Sequence, residues 1–270
     1  MKKTMRIILL VFFTIVLIFS FWQLFGIFIG YQQGQDSYNS LEQYVSFDKT
    51  ENNIVETVSP ATDSTENSTT GAPDISAWPQ VDFTQLSEIN PDIVGWIYIE
   101  GTDINYPIVQ GLDNNYYLNH LFNGTYNSSG CIFLDAACAP DFSDRHSILY
   151  GHHMKDKSMF FGLMDYKRQA FYEEHPVALL VTPDAYYKVQ FFSGYVSDTW
   201  GNAWDLTFTQ EEFSSWLDDI QGRSCFTADC APTSQDRIVT LSTCSYEFDT
   251  AKFVLHGYIS ETIQNPAAET

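Results

Sequence analysis

Three side chains of this sequence have types and positions that fit nucleophilic catalysis by a cysteine, and the first is Cys244. It ends the run Arg237-Ile-Val-Thr-Leu-Ser-Thr-Cys244, whose β-branched and alternating residues predict a strand. A strand end beside a loop is where a scaffold presents a reactive side chain, and a thiol becomes a nucleophile when a base or a positive charge stabilises its thiolate. Taken alone, such a cysteine is also typical of a small buried core residue.

His152 and Lys252 are the candidate partners of this thiol. His152 follows Gly151 at the end of another predicted strand, so we expect it at a rim, as for Cys244. If the segments on either side of Phe248 form a hairpin, Cys244 and Lys252 face each other with Cβ atoms about 5 Å apart. A cation there would stabilise a thiolate or a developing oxyanion. The alternatives are a structural or surface histidine and an ordinary solvated lysine at a strand start.

The elements that must position these residues are short strands. Eight β-rich runs separated by turn residues predict a mainly β fold, either a closed barrel or a sandwich. Gly95–Glu100 and Ile104–Val109 flank a short turn and predict a hairpin. The other predicted strands are 131–134, 147–150, 177–183, 186–196, 238–243 and 253–259.

Helices are expected to be fewer. The sequence from Thr209 to Glu212 matches a capping box, which predicts the start of a helix. Apolar residues then recur on one helical face, at Phe213, Trp216, Leu217 and Ile220. Short helices are also expected over residues 113–121 and 158–166.

The N-terminal residues predict a membrane anchor. Lys2, Lys3 and Arg6 precede an apolar run over residues 7–31, which is slightly longer than the ~20 residues that cross a bilayer. No small-residue cleavage pattern follows, so we expect an uncleaved span rather than a signal peptide. Positive charge before the span puts residues 1–6 in the cytoplasm and everything after the span outside the cell. A buried core helix is the alternative.

The remainder divides into three parts. Residues 32–78 are polar, with few clustered apolar side chains, and predict a flexible extracellular spacer that lifts a domain off the membrane. A short helix over Tyr38–Phe47, continuing from the membrane span, is the alternative for that part of the segment. Residues 79–263 are expected to form the single extracellular domain, and residues 264–270 a C-terminal tail.

Charge and cysteine content set further bounds. The formal net charge of −21 argues against nucleic-acid binding, because a phosphate backbone needs a basic face. Five cysteines are an odd number, so at least one cannot join an intrachain disulfide. Two pairings are close in sequence and stay open, Cys131 with Cys138 and Cys225 with Cys230.

Several ordered motifs of the domain closely resemble those of class B sortases. They are Thr240-Leu-Ser-Thr-Cys244, Tyr150-Gly-His152, Tyr246-Glu-Phe-Asp249, Asn90-Pro-Asp-Ile-Val-Gly-Trp-Ile97, Tyr106-Pro-Ile-Val-Gln110, Tyr116-Tyr-Leu118, Gly130-Cys-Ile-Phe-Leu-Asp135 and His152-His-Met-Lys-Asp-Lys-Ser-Met-Phe160. The resemblance implies an eight-stranded sortase-type closed β-barrel with a few short helices. It also implies cysteine transpeptidation, a thiol-peptidase type of reaction, at the outer face of a Gram-positive membrane, with no cofactor and no metal ion.

The resemblance further implies roles for individual residues. Cys244 is the nucleophile that attacks a carbonyl in the C-terminal sorting signal of a secreted protein. His152 donates a proton to the leaving amine and later accepts one from the incoming amine, which a peptidoglycan precursor supplies. Four residues match positions that line the sorting-signal groove: Ser242, Tyr150, Asn114 and Leu118.

Lys252 marks a departure, since the resembled family has an arginine there. Lysine keeps the charge but loses the planar fork of donors, and the loss of one oxyanion donor costs roughly 10²–10³ in rate. Arg237 is rejected as a substitute because seven residues of extended strand put it about 23 Å from Cys244; Arg145 stays open. The alternative functions are therefore a catalytically weakened sortase-like domain that binds peptides, and a cysteine peptidase that hydrolyses wall peptides.

Overall fold

The structure is a computed structural model, and it describes residues 2–47 and 78–265. Short 3₁₀ helices cover Glu42–Tyr44, Tyr116–Leu118, Phe161–Lys167 and Asn202–Trp204. The α-helices and strands are α1 (Lys2–Leu41), β1 (Val45–Phe47), β2 (Pro79–Val81), α2 (Phe83–Ile89), β3 (Ile93–Tyr98), β4 (Asn105–Val109), β5 (Ile132–Leu134), β6 (His146–Tyr150), α3 (Gln169–Glu174), β7 (Val177–Val181), β8 (Ala185–Asp198), α4 (Gln210–Gly222), β9 (Ile238–Cys244) and β10 (Ala251–Gln264).

Eight of these strands close into a barrel, in the order β10-β8-β7-β3-β4-β5-β6-β9. Two neighbouring pairs are parallel, β4 with β5 and β6 with β9, and the other pairs are antiparallel. Every predicted strand coincides with one of the eight, and β3 and β4 form the expected hairpin. The predicted eight-stranded closed barrel is confirmed.

The helix predicted from the capping box at Thr209 is confirmed, whereas the other two helix predictions are wrong. Thr209 caps α4 through the reciprocal bonds of a capping box, and the apolar face of α4 is buried against the barrel. Residues 113–121 and 158–166 contain 3₁₀ turns instead of α-helix. In the first, the Asp113 carboxylate accepts bonds from the backbone of Asn115 and Tyr116, which favours a turn. In the second, Met159 has a φ of 58°, which an α-helix does not permit.

α1 is one continuous helix that extends beyond the apolar run. The apolar side chains from Met5 to Ile29 are exposed, and the length and hydropathy of the helix meet the requirements of a membrane span. Near its C-terminal end the helix packs on the barrel, because Tyr38 and Leu41 recur at helical spacing on one face and are buried. The Tyr38 hydroxyl donates to the Gly130 carbonyl.

The expectation of a flexible spacer is therefore wrong for residues 32–47. Their mean polarity hides a narrow apolar stripe that packs on the barrel, and β1 then pairs antiparallel with β2. Residues 48–77 of the expected spacer and 266–270 of the expected tail lie outside the described residues. Gln264, assigned to the tail, instead ends β10.

Candidate active site

The parallel pairing of β6 and β9 brings two predicted site residues to one edge of the barrel. Tyr150 is paired with Ser242, and the Gly151 amide donates to the Ser242 carbonyl at 3.1 Å. His152 and Cys244 each come two residues after this pair. Because parallel strands end at the same edge, the two side chains lie at one rim.

On its other side, β9 pairs antiparallel with β10, and Lys252 is opposite Cys244. The Lys252 Nζ lies 3.0 Å from the Cys244 Sγ, within hydrogen-bonding distance for a nitrogen–sulfur pair. The hairpin predicted around Phe248, with the cysteine and the lysine facing each other, is confirmed. Both side chains are half-buried.

One cavity of about 390 Å³ contains all the predicted site residues in its wall. The cavity is formed at the rim where β6 and β9 end and β10 begins. Its lining includes the seven predicted residues Asn114, Leu118, Tyr150, His152, Ser242, Cys244 and Lys252, together with Phe133, Gly151, Thr199, Trp204 and Thr243.

His152 is held at the cavity mouth by backbone contacts. Its Nε2 donates to the Leu118 carbonyl at 2.6 Å, which assigns the proton of a neutral ring to Nε2 and leaves Nδ1 as the basic nitrogen. Its own carbonyl accepts from the Phe160 amide at 2.9 Å. Gly151 precedes it because a Cβ there would lie 2.5 Å from Ile132 and 2.6 Å from Phe160. The glycine is needed for close packing rather than for an unusual backbone angle.

His153, the next residue, ties the two strand ends together. Its Nδ1 donates to the Cys244 carbonyl at 3.1 Å, and its ring packs between the rings of Phe161 and Tyr246, at 4.8 and 5.1 Å. Burial lowers the pKa of His153, which favours the neutral ring. His153 therefore fixes the backbone of the nucleophile strand.

A buried carboxylate orients two side chains that line the cavity. The Asp135 Oδ2 accepts from Asn114 Nδ2 at 2.8 Å and from the Tyr150 hydroxyl at 2.9 Å. The Ala136 amide donates to the Asn114 Oδ1 at 2.8 Å, which fixes the amide orientation. Burial, aided by the charge of Asp135, raises the pKa of Tyr150, so its phenol remains a neutral donor. Asn114 and Tyr150 are thus pre-oriented.

Sequence reasoning missed three residues of this arrangement. Asp135 ends the motif Gly130–Asp135 at the end of a predicted strand, and His153 follows the predicted site residue His152. The sequence therefore contained a signal for both residues. Trp204 had none: its Nε1 donates to the Ser242 Oγ at 3.2 Å from the short 3₁₀ helix Asn202–Trp204, which no sequence pattern predicted.

The other cysteines differ from Cys244 in their surroundings. All five are free thiols, so neither disulfide considered is present. Burial raises the pKa of Cys131 to about 12 and that of Cys138 to about 11, and it also raises those of Cys225 and Cys230. These four environments disfavour the thiolate.

Neither arginine considered as a substitute for Lys252 lies in the cavity wall. Arg145 donates to Gln210 and lies over the Phe213 ring, and Arg237 donates to the Phe142 carbonyl. Within residues 2–47 and 78–265, no group of three or more His, Cys, Asp or Glu side chains is arranged to hold a metal ion.

Comparison with known proteins identifies what this arrangement is similar to. The sequence profile of the Sortase domain matches residues 97–260. Sortase B of Staphylococcus aureus is 38% identical over 176 residues, which cover 64% of this chain and 72% of that protein. The structure of a Staphylococcus aureus sortase B–substrate complex has a TM-score of 0.63 and 37% identity, covering 67% of this chain and 84% of the other. Sortase B of B. anthracis in complex with AAEK1 has a TM-score of 0.69 and 30% identity, covering 88% and 100%.

Proposed function

Because this chain belongs to the sortase family, and within it to class B, we propose that it is a membrane-anchored cysteine transpeptidase. It cleaves a C-terminal sorting signal of secreted proteins and transfers them to an amine of peptidoglycan. The observation that carries the proposal is that Cys244, His152 and Lys252 all lie in the wall of one cavity. The four remaining cysteines lie in settings that disfavour a thiolate.

Acylation begins when the Cys244 thiolate attacks the scissile carbonyl carbon. The ammonium of Lys252, 3.0 Å from the sulfur in the resting site, stabilises the thiolate and then the oxyanion of the tetrahedral intermediate. The imidazolium form of His152 donates a proton to the leaving amine as the carbon–nitrogen bond breaks, which leaves a neutral ring and a thioester.

Deacylation runs in the opposite sense with a new amine. The acceptor amine of the peptidoglycan precursor loses a proton to His152 and attacks the thioester carbon. The carbon–sulfur bond breaks, an amide forms and the Cys244 thiolate is regenerated. The hydrogen bond from His152 to the Leu118 carbonyl must open in this cycle, since the ring has to reach the amine.

The polar and apolar side chains that line the cavity beside the thiol bind the extended sorting signal. Asn114 and Tyr150 are held by Asp135, and Ser242 is held by Trp204, so each offers a fixed polar group. The side chain of Leu118, which is 39% exposed, supplies apolar surface. A complex with substrate is described for the Staphylococcus aureus relative, which supports substrate binding by this chain.

α1 supplies the membrane anchor, with residues 1–6 in the cytoplasm and the barrel outside the cell. Lys3 and Arg6 precede the apolar run, whereas Asp36 and Glu42 follow it. Protease digestion of intact cells tests this orientation: the barrel should be cleaved from outside, and protection of the barrel until the cells are opened would contradict it.

The activity is tested with a peptide that carries a sorting signal and an amine acceptor, with the products measured by mass spectrometry. The wild-type chain should form the acceptor conjugate and a thioester adduct at Cys244, and Cys244→Ala should form neither. Cys138→Ala is the matched control, because Cys138 lies outside the cavity and should keep turnover. Identical products from wild type and Cys244→Ala would reject the catalytic proposal. Hydrolysed peptide without conjugate, at saturating amine, would favour a peptidase.

A further inference from the structure

A loop of the barrel lies against the outer end of the apolar run of α1. The Asn127 Nδ2 donates to the Gly30 carbonyl at 2.8 Å. Asn123, at the tip of the same loop, lines a shallow surface cavity with Gln33. Residues 112–127 therefore meet α1 where the proposed membrane span ends.

The position of this contact relative to the membrane follows from helix geometry. Gly30 and Gln33 lie within two residues of Tyr31, where the apolar run ends, and two residues correspond to about 3 Å along the axis. The polar headgroup layer adds roughly 5–7 Å to each side of the hydrocarbon core. The loop tip is thus level with the headgroup layer of the outer leaflet.

The side chains that this loop exposes suit such a layer. Tyr126 is 72% exposed, Tyr116 is 45% exposed and Leu112 is fully exposed. His120 stacks on Tyr116 at 4.0 Å between ring centroids and meets Tyr126 edge-on at 5.7 Å. Tyrosine is enriched at membrane interfaces because its apolar ring and its hydroxyl suit the two sides of the boundary.

Beyond Asp113, this loop is uncharged within a strongly acidic protein. The chain has a formal net charge of −21, yet no Asp, Glu, Lys or Arg occurs between Asp113 and Asp135. A carboxylate in the headgroup layer would lose hydration and would be repelled by anionic lipids. The stretch without charges lies on the side of the barrel that meets α1.

We propose that the surface formed by the contacting rings of Tyr116, His120 and Tyr126 inserts into the headgroup layer of the outer leaflet, as a second contact between the barrel and the membrane. The proposal rests on the proposed role of α1 as an anchor. It deepens the proposed function, since Leu118 of the same segment lines the catalytic cavity. The cavity then lies close to the bilayer surface, where a sorting signal or an acceptor tethered to the membrane can reach it.

Site-specific photo-crosslinking of the full chain in phosphatidylcholine vesicles tests the proposal. Three variants carry the probe, Tyr126→p-benzoylphenylalanine, Trp22→p-benzoylphenylalanine and Phe47→p-benzoylphenylalanine. Trp22 lies in the apolar run. Leu41, the last residue of α1, lies about 16 Å of helix rise above Gly30, and Phe47 is an exposed aromatic residue that follows it. Lipid adducts are identified by mass spectrometry.

We expect lipid adducts from the Tyr126 and Trp22 variants and background labelling from the Phe47 variant. If the Trp22 variant gives lipid adducts but the Tyr126 variant is labelled no more than the Phe47 variant, the membrane-contact proposal is overturned and the anchor is left intact. Absence of adducts from Trp22 would overturn the anchor itself, and the second contact with it.

Discussion

Replacing Lys252 by methionine removes the charge beside Cys244 and nearly keeps the length of the side chain. Opposite unit charges separated by the observed 3.0 Å attract by about 1.4 kcal/mol in water and by about 5.5 kcal/mol at an effective dielectric constant of ~20. The cavity is open to solvent and Lys252 is half-buried, so the effective value lies between these limits. The typical cost of a lost oxyanion donor, about 2.7–4 kcal/mol, falls inside the range. We expect Lys252→Met to lower kcat/KM by roughly 10²–10³.

The assay is cleavage of a quenched fluorescent sorting-signal peptide, followed by intact-mass measurement of the acyl-enzyme. Lys188→Met is the matched control, because Lys188 is also a half-buried lysine on a barrel strand next to β10. Ser197 is the β8 partner of Lys252, and Lys188 lies nine residues from it, about 30 Å along the strand. The control should change kcat/KM by about twofold at most.

A Lys252→Met variant whose kcat/KM stays within about threefold of wild type would refute the electrostatic role of the lysine. Lys252→Arg then distinguishes two forms of that role. A gain in rate would mean that lysine is an incomplete donor at this position. A loss would mean that the cavity fits the compact ammonium.

Two further predictions concern stability and the position of the base. Burial lowers the pKa of His146 to about 4, so the unfolded state binds more protons than the folded state between pH 6.5 and 4. The contribution of neutral His146 to stability is fully present above this window and is lost as the pH falls through it. Urea unfolding should show that this residue lowers the free energy of unfolding by about 2 kcal/mol between pH 7 and pH 5. The free energy of unfolding of His146→Gln should depend less on pH than that of the wild type. An equal pH dependence in the two proteins would contradict the assignment. Gly151→Ala should destabilise the fold by about 1–3 kcal/mol through overpacking against Ile132 and Phe160 and should slow cleavage by displacing His152. Thermal unfolding and kcat together test this, and an unchanged Tm with normal kcat would contradict it.

The barrel strands and the position opposite the thiol were predictable from local signals. Alternating residues and turn residues between them mark each strand, and a hairpin centred on Phe248 fixes which residue faces Cys244. The capping box at Thr209 likewise gives the start of α4.

The contacts between distant segments were not predictable in this way. Nothing in residue spacing indicates that β6 and β9 pair in parallel, although that pairing brings His152 to Cys244. The packing of α1 depends on a few apolar residues in a polar segment, which average composition conceals. The clamp from Asp135 to Asn114 and Tyr150 requires the folded register of three separate segments.

The parallel pairing of β6 with β9 also sets when the thiol can react during biosynthesis. His152 and Cys244 are 92 residues apart in sequence, and Lys252 follows on β10, which seals the barrel against β8. Contacts this distant in sequence form late in folding, because loop-closure entropy must be overcome first. A chain in which the barrel has not closed carries the cysteine without a positioned base and cation beside it. Barrel closure thus acts as a safeguard, and the nucleophile becomes competent only in a folded molecule.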